Sequence, residues 1–154
     1  MRRALPHSGF TLVELVTTII LIAILSVVVL PRLMTSSSYS AFTLRDEFIS
    51  ELRKVQLMAM NNQDRCYRVD VDASGYQLRR FDNNTCTGTN RTEAKQAFSG
   101  GASLARASDS SDTFNVNFDT SGISSLACSG PCINVIADET LTISIESQGY
   151  IHGR

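Results

Sequence analysis

Residues 10–30 read FTLVELVTTIILIAILSVVVL, 21 positions in which Glu14 is the sole ionisable side chain. As a helix this run is roughly 30 Å long, the thickness of one hydrocarbon core. It predicts a transmembrane helix. Arg2 and Arg3 stand ahead of it, which places that end in the cytoplasm and the following domain across the membrane. The formal net charge of the 154 residues is −1 and gives no general case for binding nucleic acid or an anionic membrane surface. That average hides a division: 12 of the 14 Lys and Arg, and 14 of the 15 Asp and Glu, come after residue 30. Cys66, Cys86, Cys128 and Cys132 also lie beyond the apolar run, an even count that fits an oxidising compartment and disulfides.

A secretory signal peptide would have a shorter apolar core followed by a small-residue cleavage site, and neither is present. A plain signal anchor accounts for everything except Glu14. A carboxylate inside an apolar span costs about 2.5–3.5 kcal/mol on insertion scales and so needs a partner or a purpose. No Lys or Arg within the span serves. A cut after Gly9 would create one: the new amino group on Phe10 stands four residues, about one helical turn, before Glu14. The two charges neutralise each other within one helix or between staggered neighbours, and only the second arrangement builds a polymer.

The stretch from Ser8 to Leu15, SGFTLVEL, resembles the prepilin cleavage and methylation motif of type IV pilins and type II secretion pseudopilins. The resemblance implies removal of a leader (residues 1–9) by the prepilin peptidase between Gly9 and Phe10. It further implies N-methylation of Phe10 and a role for Glu14 in assembly, pairing with a neighbouring subunit's terminus. On this basis the chain divides into the leader, a transmembrane and assembly helix (10–30), an amphipathic continuation (31–62) and a globular β-rich head (63–154). Pro31, where the apolar run stops, should kink or loosen the helix.

Beyond Ser36-Ser37-Ser38, Leu44, Phe48, Leu52, Val55 and Ala59 recur at spacings of four and three and make one apolar stripe. The stripe predicts a helix ending near Asn61-Asn62, continuous with the anchor over roughly fifty residues in all. Glu51 and Lys54 are placed to pair at i,i+3. Strand patterns follow: Tyr67, Val69 and Val71, a turn at Ala73-Ser74-Gly75, then Tyr76, Leu78 and Phe81. Phe114, Val116 and Phe118 alternate before a turn at Asp119-Thr120-Ser121-Gly122. Ile133, Val135 and Ile136 suit a short strand, Leu141, Ile143 and Ile145 a longer one, and Tyr150-Ile151 a last pair. Residues 102–112, rich in Ser, Ala and Asp, predict a loop. The expected fold class is α+β: a long N-terminal helix packed on a C-terminal antiparallel sheet, a pilin-like roll. The order of elements, the Phe-x-Val-x-Phe-Asp-x-x-Gly stretch at 114–122 and the closing Ser147-Gln148-Gly149 resemble the H-type minor pseudopilin group. The short head with a Cys-rich C-terminal part is similar to minor pilins of the mannose-sensitive haemagglutinin pilus.

A Gly130-Pro131 turn would bring Cys128 to Cys132, and a hairpin would set Cys66 beside Cys86. Crossed pairings such as Cys86–Cys128 remain open, and so does a four-cysteine zinc site, although zinc knuckles use tighter pair spacing. His7 leaves with the leader, and His152 is alone. Asp109, Asp112, Asp138 and Glu139 lack the EF-hand spacing and read as solvated charge. No phosphate loop, metal-binding helix pair or nucleophile motif is present, so no cofactor and no enzymatic activity are expected. Arg65, Arg68, Arg79 and Arg80 fall on the first hairpin with Arg91 and Lys95 nearby, and clustered arginines of this kind, Arg79 and Arg80 above all, are how a DNA-uptake pilin would hold its ligand. Asp64, Asp70, Asp72 and Asp82 interleave with them, which favours cross-strand charge pairing on a solvated face instead. The expected role is that of a minor pilin. It is held in the inner membrane with a periplasmic head, then taken into a pilus at the cell surface through helix contacts with other pilin subunits, to prime or cap it or to adhere. A type II secretion pseudopilin and a DNA-binding pilin are the alternatives.

Overall fold

The computed structural model of the protein describes residues 10–33, 37–126 and 128–154, and side chains outside 27–40. These fall into two units, Met1–Thr35 and Ser36–Arg154. In the first, α1 spans Leu12–Leu33 and carries on through Pro31. The leader 1–9 and residues 34–36, where α1 would have to join the next helix, lie outside the described residues. Among the described residues no helix is long and apolar enough to cross a membrane.

The second unit opens with α2, Ser37–Met60, so this helix belongs with the β-rich part of the chain. The predicted stripe of Leu44, Phe48, Leu52, Val55 and Ala59 is buried, joined by Ala41 and Ile49. At the C-terminal end Asn62 Nδ2 donates to the Met58 carbonyl at 2.8 Å, satisfying one of the oxygens that the last turn leaves open. The Glu51–Lys54 pair forms at 3.2 Å, as its spacing predicts.

Among the described residues nine strands follow: β1 Cys66–Asp72, β2 Gly75–Phe81, β3 Asn90–Thr92, β4 Gln96–Ala97, β5 Ser103–Arg106, β6 Phe114–Asn117, β7 Gly130–Ile136, β8 Thr140–Ile145 and β9 Ile151–Gly153. They make two antiparallel sheets rather than the single one expected. One runs β3-β2-β1-β6 with β4 also on β2, and the other runs β5-β7-β8-β9. β1 and β2 form the predicted hairpin, with Asp72 opposite Gly75 across a two-residue turn. At Gly75 a side chain would collide with the Gln96 carbonyl of β4. The stretch 102–112 is not wholly a loop, because β5 buries Leu104 and Ala105 alongside β7. Gly130-Pro131 is not a turn either. Both residues sit in β7 opposite Ile145 and Ser144, and a bulge between Pro131 and Ile133 absorbs the irregularity.

One core unites α2 with both sheets, drawing Phe48, Leu52 and Val55 together with Val69 and Val116 of the first sheet and Ile133, Ile143 and Ile145 of the second. Each such side chain contributes about 1.5–3 kcal/mol of transfer free energy on burial. Cysteines pair as Cys66–Cys86 and Cys128–Cys132, with Cα separations of 5.1 and 5.7 Å, and no described cysteine is free. The crossed pairing and the zinc site are thereby replaced.

Two polar side chains of α2 fasten the C-terminal part. Arg53 Nη2 donates to the Ile151 carbonyl at 2.7 Å. Gln56 Nε2 donates to the carbonyls of Gly122 and Gly149, at 2.7 Å each, and so joins two loops that are distant in the chain. Gly149 has φ of 83°, and a Cβ there would run into the Gly122 carbonyl and the Gln56 amide. Gly149→Ala should therefore cost about 2 kcal/mol or more, read as a lower urea midpoint. Gly101, with φ of 74° and open space around it, supplies the control. Gly101→Ala should show the backbone cost alone, about 1 kcal/mol. Equal losses would contradict the steric account.

Tyr76 packs edge-on against Phe48, ring centroids 5.0 Å apart, and its hydroxyl donates to Glu47 Oε1 at 2.8 Å. Burial first, then the Glu47 hydrogen bond and charge, push this phenol well above the ordinary tyrosine range. A raised folded pKa means that the unfolded chain gives up the proton first, near pH 10. The contribution is thus whole below pH 10 and declines as pH rises beyond it. Tyr76→Phe should cost about 1 kcal/mol at pH 7, and its deficit relative to wild type should shrink above pH 10. A deficit that widens with pH in denaturant titrations would contradict this account.

Candidate functional site

The start of α1 is built from local hydrogen bonds. Phe10 and Thr11 precede the helix. The Glu14 amide donates to Thr11 Oγ1 at 3.2 Å, and the Leu15 amide to the Thr11 carbonyl at 3.2 Å. Thr11 is therefore the N-cap and Glu14 the third helical residue, the Thr-x-x-Glu spacing of a capping box. Sequence reasoning passed over Thr11, although that spacing was visible in it. Glu14 also lies where the helix dipole favours an anion.

In the described part of α1, Thr17, Thr18 and Ser26 turn back onto the helix. Thr17 donates to the Glu14 carbonyl at 3.0 Å, Thr18 to that of Leu15 at 2.8 Å and Ser26 to that of Ile22 at 2.7 Å. Such back-bonding lets hydroxyls sit in an apolar helix without outside partners. Apolar residues cover every side of the described part, from Leu12, 79% exposed, to Ile22, 61%, and Leu25, 58%. Phe10 is 81% exposed. Gly9, the other side of the expected cleavage, lies outside the described residues.

On the hairpin, strand register separates the arginines. Arg68 faces Arg79, which faces Thr92; Tyr67 faces Arg80, which faces Arg91. Residues in register share a sheet face and successive residues alternate, so Arg79 and Arg80 project to opposite faces. On the outer face Arg68 and Arg79 converge on Asp70. Arg68 Nε donates to Oδ1 at 2.7 Å, and Arg79 Nε lies 2.6 Å from Oδ2 as an ion pair without an aligned hydrogen bond. The Arg68 guanidinium also lies over the Phe81 ring, 4.7 Å from its centroid. Arg80 and Arg91 lie on the face that carries Tyr67 and Leu78 into the core.

Elsewhere on the head three charged pairs form. Lys95 Nζ donates to Asp72 Oδ1 at 2.7 Å and to the Ser74 hydroxyl at 2.6 Å. The Lys95 bond, then those from Ser74, hold the Asp72 carboxyl well below the usual range. Arg106 likewise depresses Asp109, through a 2.6 Å contact. His152 Nε2 stands 3.0 Å from Glu146 Oε1 and its ring stacks on Tyr150 at 5.0 Å. Among the described residues no three His, Cys, Asp or Glu converge to hold a metal ion.

No family model, curated protein or solved structure matches the chain. Among the described residues, the start of α1 combines an exposed apolar surface with a placed charge. Its cap is testable: Thr11→Ala should cost about 1 kcal/mol at the helix start. Faster amide hydrogen exchange at residues 13–15, restored by Thr11→Ser, would register that loss; unchanged exchange would remove Thr11 from the site.

Proposed function

We propose that the protein is a filament subunit of the type IV pilin class, a minor pilin. The observation that carries this reading is the state of α1, apolar on every side and bearing Glu14 in its first turn. A helix hydrophobic all round requires apolar surroundings, either lipid or other helices. Before assembly the run 10–30 would lie in the inner membrane as a single span with the head in the periplasm. Afterwards it would lie among the helices of other subunits, with the head outward at the cell surface. The SGFTLVEL motif supports processing by the prepilin peptidase between Gly9 and Phe10 and methylation of the new terminus.

Chemistry at the helix start suits that sequence of events. An amino group created on Phe10 would stand one residue before the Thr11 cap, at the end of the helix that already carries partial positive charge. Glu14 is the nearest counter-charge in the sequence. Its pairing with a neighbour's terminus would take both charges out of hydrocarbon and set the stagger between subunits. Apolar contacts along α1 would supply most of the cohesion. The disulfide-closed head suits an oxidising compartment.

A pseudopilin of a type II secretion system would use the same helix and is the second reading. DNA uptake has less support, because Arg79 is held by Asp70 and projects away from Arg80. The decisive experiment is N-terminal sequencing and mass measurement of the chain recovered from membranes of cells with an active prepilin peptidase. An N-methylated Phe10 terminus is expected, and Glu14→Val should then sharply reduce the chain's recovery in sheared filaments. A chain that keeps Met1 in such cells would refute the filament role.

A further inference from the structure

A recess of about 310 Å³ opens beside the C-terminal half of α2, where the helix stops covering the hairpin. Met58, Tyr67 and Leu78 form its apolar wall, and Arg80 and Arg91 stand on it in one strand-to-strand rung with Tyr67. We propose that this recess binds a small organic anion, a carboxylate on a compact apolar body, with Arg80 as its principal ligand and Arg91 as the second. The site is independent of the filament role.

Three observations converge on that occupant. Arg80 Nε is buried and has no hydrogen-bond acceptor among the described residues. A buried, unpaired donor of this kind is costly and calls for an explanation, which a bound acceptor supplies. Arg79, its neighbour in sequence, meets Asp70 on the outer face, whereas among the described residues no carboxylate forms an ion pair with Arg80 or Arg91. A guanidinium fork matches a carboxylate in shape and charge. The wall beneath is apolar and includes Tyr67, which suits a ring or short aliphatic body. The volume is at the small end for ligand pockets, room for about a dozen non-hydrogen atoms.

Glu93 narrows the choice. It also lines the recess, its Oε2 3.1 Å from Lys54 Nζ, and Lys54 is shared with Glu51. A fixed carboxylate at the rim opposes a polyanion such as a nucleic-acid strand more than it opposes a single carboxylate. The same residue predicts a gain of binding that misfolding cannot imitate, since removing its charge should strengthen the site.

The test uses the full chain in detergent micelles and 3-phenylpropionate as the probe, with 3-phenylpropanol as the uncharged control. Amide chemical shifts of residues around 67, 80 and 91 should move with the acid in a saturable manner and not with the alcohol. Arg80→Gln should weaken binding about tenfold or more, the loss of a charge-assisted pair. Arg91→Gln should weaken it less, Arg65→Gln should leave it unchanged, and Glu93→Gln should tighten it about threefold. Equal response to the alcohol, or binding unchanged in Arg80→Gln, would overturn the proposal. So would a single-stranded oligonucleotide that perturbs these same amides while the acid does not.

Discussion

Among the described residues the two sheets share no strand pairing, so the buried face of α2 is what makes them one body. From Ala41 to Ala59 that face meets β1 and β6 on one side and β7, β8 and β9 on the other. Each sheet alone would leave an apolar face in water, and covering that face with α2 is what stabilises it. Phe48, Leu52 and Val55, wholly buried, therefore do more than fill space. They decide that two sheets fold against a common partner. Arg53 and Gln56, on the same helix, add direction to an attraction that has none, because hydrogen bonds to named carbonyls set where the C-terminal loops stop.

Legibility in the sequence followed the range of the interactions concerned. The α2 stripe could be read because its spacing repeats over about four turns, and the β1–β2 hairpin because alternation and a turn signal lie side by side. The Cys66–Cys86 link followed from the hairpin, whereas Cys128–Cys132 formed although the turn expected to bring the two together is part of β7. By contrast β3 and β4 are short, polar and exposed, with nothing periodic to betray them, and β5 shows only Leu104 and Ala105 between glycines and serines. Which strands join which sheet depends on pairings such as β1 with β6 and β5 with β7, across long loops, and no local pattern carries that information. Gly130-Pro131 has the composition of a turn, yet the bulge after Pro131 lets β7 keep it.

The site was legible to the same degree. Glu14 stood out because a lone carboxylate in an apolar run has a high cost. Thr11 was hidden by its ordinariness, a threonine before a helix. The arginines show the limit of composition: Arg79 and Arg80 are adjacent in the chain, but alternation along β2 sends one to Asp70 and the other to the recess by Met58. Adjacency in a strand separates side chains, whereas register across strands, as for Tyr67, Arg80 and Arg91, gathers them.

The Cys66–Cys86 link has a mechanical side. The chain leaves α2 at Met60 and enters the first sheet at Cys66, so tension applied through the helix reaches the hairpin at its crosslinked residue. The link spans a separation of 20 residues, and fully extended that length of chain would measure about 70 Å. None of it can pay out while the crosslink holds. A pull strong enough to peel β1 from its neighbours would then lengthen the molecule far less than the same pull on the reduced chain, and the hairpin could re-form quickly once the load was gone.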